Sequence, residues 1–544
     1  MRLRLARRDR GAVAIVTAIL MLVFLSLTAF AVDVGNWYAV GLQEQRAADA
    51  AALAGVVRLP ADQLSAKSVA QSFASQNGFT NGVNSVSVVP GVGSQPTRLK
   101  VTVSKTVPNV FGALLGRPTT TVTKSAVADY VGPVPLGSPC NAFGNDPDQG
   151  ANRSTNCDGT GAFWANVGSK KATKASGDAY QDNVCGGADD GCVSGTNLDY
   201  DPNGYVYLVT LRQAVTNLKI QAFDPAQVVV GDHCNYAYAK LAEAAALGTN
   251  ADVSNPAERY APNDGAWCTG DTQINAPAAA GNGLIKTQFT IHAPGVNAWD
   301  PLNWPVLPSC QTTFDPFSGD LSKALDHTQP LGIYKPEVAR TFRQWVDLCA
   351  VTGVIPKGTY AVQVKTNGLG TDLVGGHNRF GLRAFGSGGG DKDNISISGF
   401  NKMAMYGNTP EGISTFYLAK VAPSAAGQSF NVRLFDIGDG ATAGSTIRVV
   451  PPPDSGLTNF SGCTGSGPLT GTGDLTNCTI SVNSTYNGKW ESISVPIPLG
   501  YTCAEATTTG CWVRLEFYYG ASSSPADTTS WTAGIEGDPV RLVE

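Results

Sequence analysis

The chain has 544 residues, 15% of them charged, with a net charge of −5. Five of the basic residues fall among the first ten, so the remainder carries 33 Lys and Arg against 42 Asp and Glu. That mildly acidic remainder argues against nucleic acid or anionic lipid as a partner of the residues beyond the N-terminal segment. With 62 Gly and 32 Pro, the composition suits secreted β-structure better than a helical intracellular enzyme.

The first element is a basic tail, residues 1–11, with Arg2, Arg4, Arg7, Arg8 and Arg10. Ala12 to Val32 follows without a formal charge. As a helix it spans about 30 Å, the thickness of a bilayer's hydrocarbon core. The arginines predict a cytoplasmic N-terminus and an extracellular bulk, a single-pass cell-membrane protein. The competing reading is a signal peptide cleaved after Ala31, since Ala29-Phe30-Ala31 satisfies the small-residue rule.

Helical sequence continues through Trp37, Tyr38 and a run of alanines to Gly55, so residues 12–55 read as one helix. Trp37 and Tyr38 fall where amphipathic rings meet headgroups. Ala47, Ala48, Ala51, Ala52 and Gly55 make a small-residue face, open to a partner helix or to the chain's own domain. Residues 56–130 predict a small α/β domain: a helix from Asp62 to Gly78, then the strand-like runs LKVTVSKTV and TTTVTKSAVADY around FGALLG.

GAVAIV with its apolar run, then DVGNWY, LQ and AADAAALAG, resembles the N-terminus of Tad/Flp pilus-assembly proteins of the TadE/TadG-like type. The resemblance covers about residues 8–130. It implies a membrane-anchored pilus-assembly component with pilin-like or other assembly proteins as partners. Processed prepilins of this kind usually carry Glu five residues after the cleavage glycine. Val16 stands there, counted from Gly11, which implies a retained anchor rather than a processed major pilin.

Residues 131–200 read as a Gly/Asn/Cys-rich connector or an insertion at a domain edge. Beyond it, Tyr205–Leu211 with Leu218–Asp224 resembles Phe416–Val421 with Phe430–Asp436, each pair closing on Phe-Asp. Alternating strands separated by turns predict two tandem, disulfide-bonded, jelly-roll-like β-sandwiches at 201–400 and 401–544. The first carries an insertion, 232–356, with a helix predicted at Pro336–Ala350 from the spacing of Val338, Phe342, Trp345 and Val346. The expected class is therefore α+β with a mostly β ectodomain.

The twelve cysteines all lie between Cys140 and Cys511, as expected of an oxidising compartment. Near neighbours suggest Cys140/Cys157, Cys185/Cys192, Cys234/Cys268, Cys310/Cys349, Cys463/Cys478 and Cys503/Cys511, the last two most directly. Spacing alone leaves the connectivity open.

Asp199-Tyr-Asp201-Pro-Asn203-Gly204 has oxygen ligands at alternate positions, as at the start of a calcium loop. Position 12 of an EF-hand loop would be Thr210 rather than Glu, so the default is an Asp/Asn/Gly turn, with a structural calcium as the alternative. No other cofactor is expected. Motifs for serine, zinc or nucleotide enzymes are absent, so the chain is expected not to be an enzyme. His377 sits in a polar Gly-Gly-His-Asn-Arg run read as a loop. Trp267, Trp299, Trp304, Trp490 and Trp531 are core residues or a sugar-stacking platform. The functional expectation is pilus assembly, anchoring or surface adhesion; the alternative is a carbohydrate-binding or hydrolytic ectodomain for host or cell-surface glycan.

Overall fold

A computed structural model of the protein describes the chain except residues 1–8, 60–62, 93–97, 131–132, 145–151, 153, 155–156, 158–162, 187, 230–268, 275–283, 296–299, 388–390, 409–411, 439–440, 442–443, 467–474, 520–525, 536–539 and 544. It divides into two compact units, 1–132 with 296–298 and 537–544, and 133–295 with 299–536.

The first unit is built on α1 (Asp9–Val56), a single unbroken helix. At about 1.5 Å per residue it is roughly 70 Å long. Its first part, through Val32, exposes nearly every apolar side chain. Ser26 and Thr28 donate to the carbonyls of Leu22 and Phe24, so their hydroxyls ask nothing of the surroundings. The second part packs on α2 (Gln63–Gln76) and on a sheet of β1 (Val86–Val92), β2 (Arg98–Pro108) and β3 (Thr119–Tyr130). The sheet is antiparallel, and Val540–Leu542 adds its fourth strand beside β3. Strict alternation along β2 turns Leu99, Val101 and Val103 inward.

The second unit is a pair of antiparallel sheets sharing one hydrophobic core. The main path of one sheet runs Trp345–Ile355, Val215–Phe223, Gly375–Phe385, Phe163–Val167, Met403–Asn408, Ala526–Ile535, Ser429–Phe435, Trp490–Pro496, Thr464–Ser466. The other runs Val306–Phe314, Thr287–His292, Gly358–Lys365, Tyr205–Leu211, Ile395–Gly399, Leu136–Gly137, Gly412–Lys420, Trp512–Tyr519, Thr446–Val450, Thr479–Ser481. Each sheet therefore crosses both of the expected sandwiches. The strands at the seam, Phe163–Val167 and Leu136–Gly137, come from the expected connector. Described residues of the expected insertion supply edge strands of both sheets.

One predicted helix is corrected. Helix Pro336–Thr341 stops early, and Trp345–Ile355 is a strand. Arg343 takes a left-handed backbone (φ 52°), which ends a helix, and Trp345 and Val346 then pair with Phe223 and Ala222.

The Phe-Asp correspondence has a structural counterpart. Asp224 and Asp436 both sit at positive φ (52° and 61°), and both are buried. Their N–H groups donate to Gln344 and Lys489, each the residue before a tryptophan. Phe223 then pairs with Trp345, and Phe435 with Trp490, with ring centroids 5.4 and 5.0 Å apart. The disulfides Cys140–Cys157, Cys185–Cys192, Cys310–Cys349, Cys463–Cys478 and Cys503–Cys511 all lie in this unit. The Cys234/Cys268 expectation lies outside the described residues.

Candidate functional site

In the first unit the chemistry gathers where the apolar part of α1 ends. Asp33 is the first charged residue after the uncharged run, and it is buried. Its carboxylate accepts from three successive backbone N–H groups of the β2–β3 loop: Val110 (2.7 Å), Phe111 (3.1 Å) and Gly112 (2.7 Å). Burial alone would raise this acid, but the three donors outweigh it and hold it below its ordinary value. One turn on, Trp37 Nε1 donates to Asn109 Oδ1 at 2.9 Å. Asn109 closes the loop's neck by donating its side-chain amide to Arg117 O and its N–H to Pro118 O, each at 2.9 Å. Asp and Trp four apart lie on one face of a helix, so both reach the same loop. The DVGNWY run is thus a clamp between helix and sheet. Trp37 is half-buried in it, while Tyr38 is exposed.

The expected partner-helix face is corrected. Ala47, Ala48, Ala51 and Ala52 are fully buried within their own unit. Gly55 is closer still: a Cβ there would meet Leu99 Cδ2 at 2.5 Å and Ala66 O at 2.6 Å. The small residues let α2 and the sheet approach α1, leaving that face no room for another chain. Arg2, Arg4, Arg7 and Arg8 lie outside the described residues, and of Arg10 only the helical backbone is described.

Residues 11–61 match the family of putative Flp pilus-assembly TadE/G-like proteins. No curated protein and no solved structure matches the chain. The Tad-like match covers the apolar part of α1, Asp33, Trp37 and the buried alanines. The helix is long and apolar enough to cross a membrane, as an anchor or a signal.

In the second unit the two carboxylates of the candidate calcium set Asp199, Asp201 and Asn203 go to different partners. Asp199 Oδ2 accepts from the buried Lys174 ammonium at 2.7 Å and from Trp490 Nε1 at 3.1 Å. Asp201 pairs with Lys402 and accepts the Asn203 N–H, an Asx turn. Each carboxylate is already matched by a lysine, so the loop as folded is not a ring of free oxygens around one cation. The described residues also group Asp454, Cys503 and Cys511, but those two sulfurs are bonded to each other.

His377 is corrected from loop to strand. It lies in Gly375–Phe385, fully buried, with Nε2 2.7 Å from Asp182 Oδ2. Burial, and then the nearby Asp178 carboxylate, push the Asp182 acid well above its ordinary range. Asp178 accepts from Asn166 Nδ2, Tyr205 Oη and the N–H groups of Gly168, Tyr180 and Gln181. A buried histidine and acid can resemble a catalytic pair. This one is enclosed among satisfied partners, with no open surface for a substrate among the described residues. Of the tryptophans, Trp304, Trp490 and Trp531 are buried, so none of these three is an exposed sugar platform. Trp267 and Trp299 lie outside the described residues.

Sequence reading missed an open depression of about 520 Å³ on the sheet face formed by Asn431, Arg433, Thr464, Ser492, Ser494, Thr532 and their neighbours. The internal correspondence shows what distinguishes it. In the first half Gln221 stands in register between Asp347 and Arg383 and bonds both, at 2.6 and 2.7 Å. In the second half the matching position is Arg433, which lies over the Trp490 ring at 4.0 Å, and its register partners are Ser492 and Thr532. A closed polar ladder in one half becomes an exposed guanidinium among short hydroxyl side chains in the other.

Proposed function

We propose that the chain is a single-pass component of a Tad/Flp-type pilus system. Its N-terminus is cytoplasmic and its two units are displayed outside the cell. It acts without catalysis in pilus assembly, anchoring or surface adhesion. The observation that carries this reading is the match over residues 11–61, the stretch that joins an apolar helix to the Asp33–Trp37 clamp. The arginines before the apolar run support the orientation, and the disulfides support an oxidising compartment. Protease shaving of intact cells with membrane fractionation, beside pilus counts in a strain lacking the chain, tests the proposal. Recovery of residues 140–544 in the cytoplasm, or normal pili and attachment without the chain, rejects it.

A second reading, carbohydrate binding by the second unit, is favoured by the open depression around Arg433. Hydroxyl and guanidinium side chains on a concave face are groups that pair with sugar hydroxyls and carboxylates. A glycan array probed with the detergent-solubilised full chain tests it. A saturable hit lost in Arg433→Ala supports binding, and turnover of any polysaccharide defeats the non-catalytic reading.

A further inference from the structure

The β2–β3 loop reads Val110-Phe111-Gly112-Ala113-Leu114-Leu115-Gly116, without a charge, and Arg117 follows. Its backbone turns through a short 3-10 helix, Gly112–Leu115. Apolar loop tips are ordinarily tucked inward, yet Val110 is 62% exposed and Phe111 37%. Ala113 is exposed as well.

The level of this loop along α1 is fixed. Three hydrogen bonds tie its N–H groups to Asp33, and Trp37 holds its neck through Asn109. Asp33 directly follows Val32, the last residue of the uncharged run, so the two differ in height by about 1.5 Å. The headgroup zone beyond the hydrocarbon is several ångströms deep on each side. If Ala12–Val32 fills the hydrocarbon, a loop bonded to Asp33 cannot stand in bulk water. It must enter the boundary between headgroups and acyl chains.

We infer that the Val110–Gly116 loop is a second membrane contact, dipping Val110, Phe111 and Ala113 into the outer leaflet beside α1. The occupant of this surface is lipid of the same bilayer. Three features fit that occupant: continuity with the apolar span, the absence of charge from Val110 to Gly116, and Arg117 placed next to lipid phosphates. The clamp then has a purpose at this height. It satisfies the loop's backbone donors with Asp33, where water is scarce and unpaired donors are costly. Two contacts on one rigid unit would fix how it tilts on the membrane, which one helix alone does not.

The inference rests on the anchored reading of α1, and the experiment separates the two. Full-length chain is reconstituted in phosphatidylcholine–phosphatidylglycerol vesicles, with Val110→Cys, Phe111→Cys and, as control, Leu64→Cys each carrying a nitroxide. The labelled unsubstituted chain is the blank. Leu64 is 81% exposed, on the α2 turn nearest Gly55, far along α1 from Asp33. The expected result is a severalfold higher ratio of oxygen to nickel-complex collisions at 110 and 111 than at 64. If the chain resists carbonate extraction but 110 and 111 meet the nickel complex as freely as 64, the loop inference is overturned and the anchor stands. If carbonate releases the chain, the anchored reading fails and takes the inference with it. Using two loop positions guards against one substitution disturbing the clamp.

Discussion

The two units bury polar groups by different means. In the first, one carboxylate holds one loop. Asp33 satisfies three adjacent backbone donors, and close packing rests on alanines and Gly55. In the second, several buried acids form a connected cluster, in which Asp178 collects five donors no more than 27 positions away and Asp182 meets His377, 195 positions on, and five described disulfides add covalent closure. The difference teaches that one unit rests its polar satisfaction on a single helix-to-loop contact and the other spreads it over many groups. Both reach across the chain: Asp33 meets a loop 77 to 79 positions on, and Asp182 meets His377 195 positions on.

The sharpest test of the contrast is Asp178→Ala. It strands five donors inside the second unit and is expected to cost about 3–5 kcal/mol in that unit's unfolding. Urea unfolding followed by tryptophan fluorescence reads it; a loss under about 1 kcal/mol would break the network account. Next comes Gly55→Val in the first unit. The added carbons collide with Leu99 and Ala66, for an expected loss of about 3 kcal/mol, measured by hydrogen exchange in α2 and β2. No change there would mean that the helices can separate cheaply.

The third test uses pH. Burial, and then Asp436 and Asp190, push the Glu491 acid up to about 9. The unfolded chain ionises this group near 4.5 and the folded chain does not, so unfolding releases a proton between those values. This group's contribution to the stability of the second unit is therefore fully present below pH 4.5 and is lost as pH rises toward 9, by at most about 1.4 kcal/mol per pH unit. Glu491→Gln should flatten that slope; an unchanged slope rejects the assignment. The smallest effect has the opposite sign. Asp33 is held below its ordinary value, so its contribution is fully present above that ordinary value and is lost as pH falls below it, through the lowered value of the folded state. Glu44 in the same unit, pushed up to about 7 by burial, acts oppositely between 4.5 and 7. Asp33 is thus read as the difference between the parent chain and Asp33→Asn below about pH 4. Equal acid sensitivity in the two would remove Asp33 from the account.

What the sequence disclosed follows the range of the interactions. The α1 helix was legible because an uncharged run and then alanines are local signals. Individual strands in the second unit were legible from alternation, but their partners were not: Leu136–Gly137 sits between Ile395–Gly399 and Gly412–Lys420, a pairing that no local pattern encodes. Helical spacing misled at Phe342, Trp345 and Val346, where a left-handed Arg343 and the Phe223–Trp345 pairing decide the outcome. His377 looked solvated because glycines precede it, yet Asp182 draws it inside. The depression at Arg433 emerged only from comparing register-equivalent positions in three dimensions. For the DVGNWY run the signal was present, an acid and an indole four apart, but its receptor loop lies more than seventy residues on.

The strand order also constrains time. Leu136–Gly137 and Phe163–Val167 emerge early, yet the strands on both sides of each come much later in the chain. The first unit's sheet likewise waits for Val540–Leu542 to lie down beside β3. The second unit's seam cannot be completed until those later strands have been synthesised, and the first unit lacks only its edge strand until then. Closure of these sheets is therefore a late event, governed by pairings between strands far apart in the chain rather than by the order in which the strands appear.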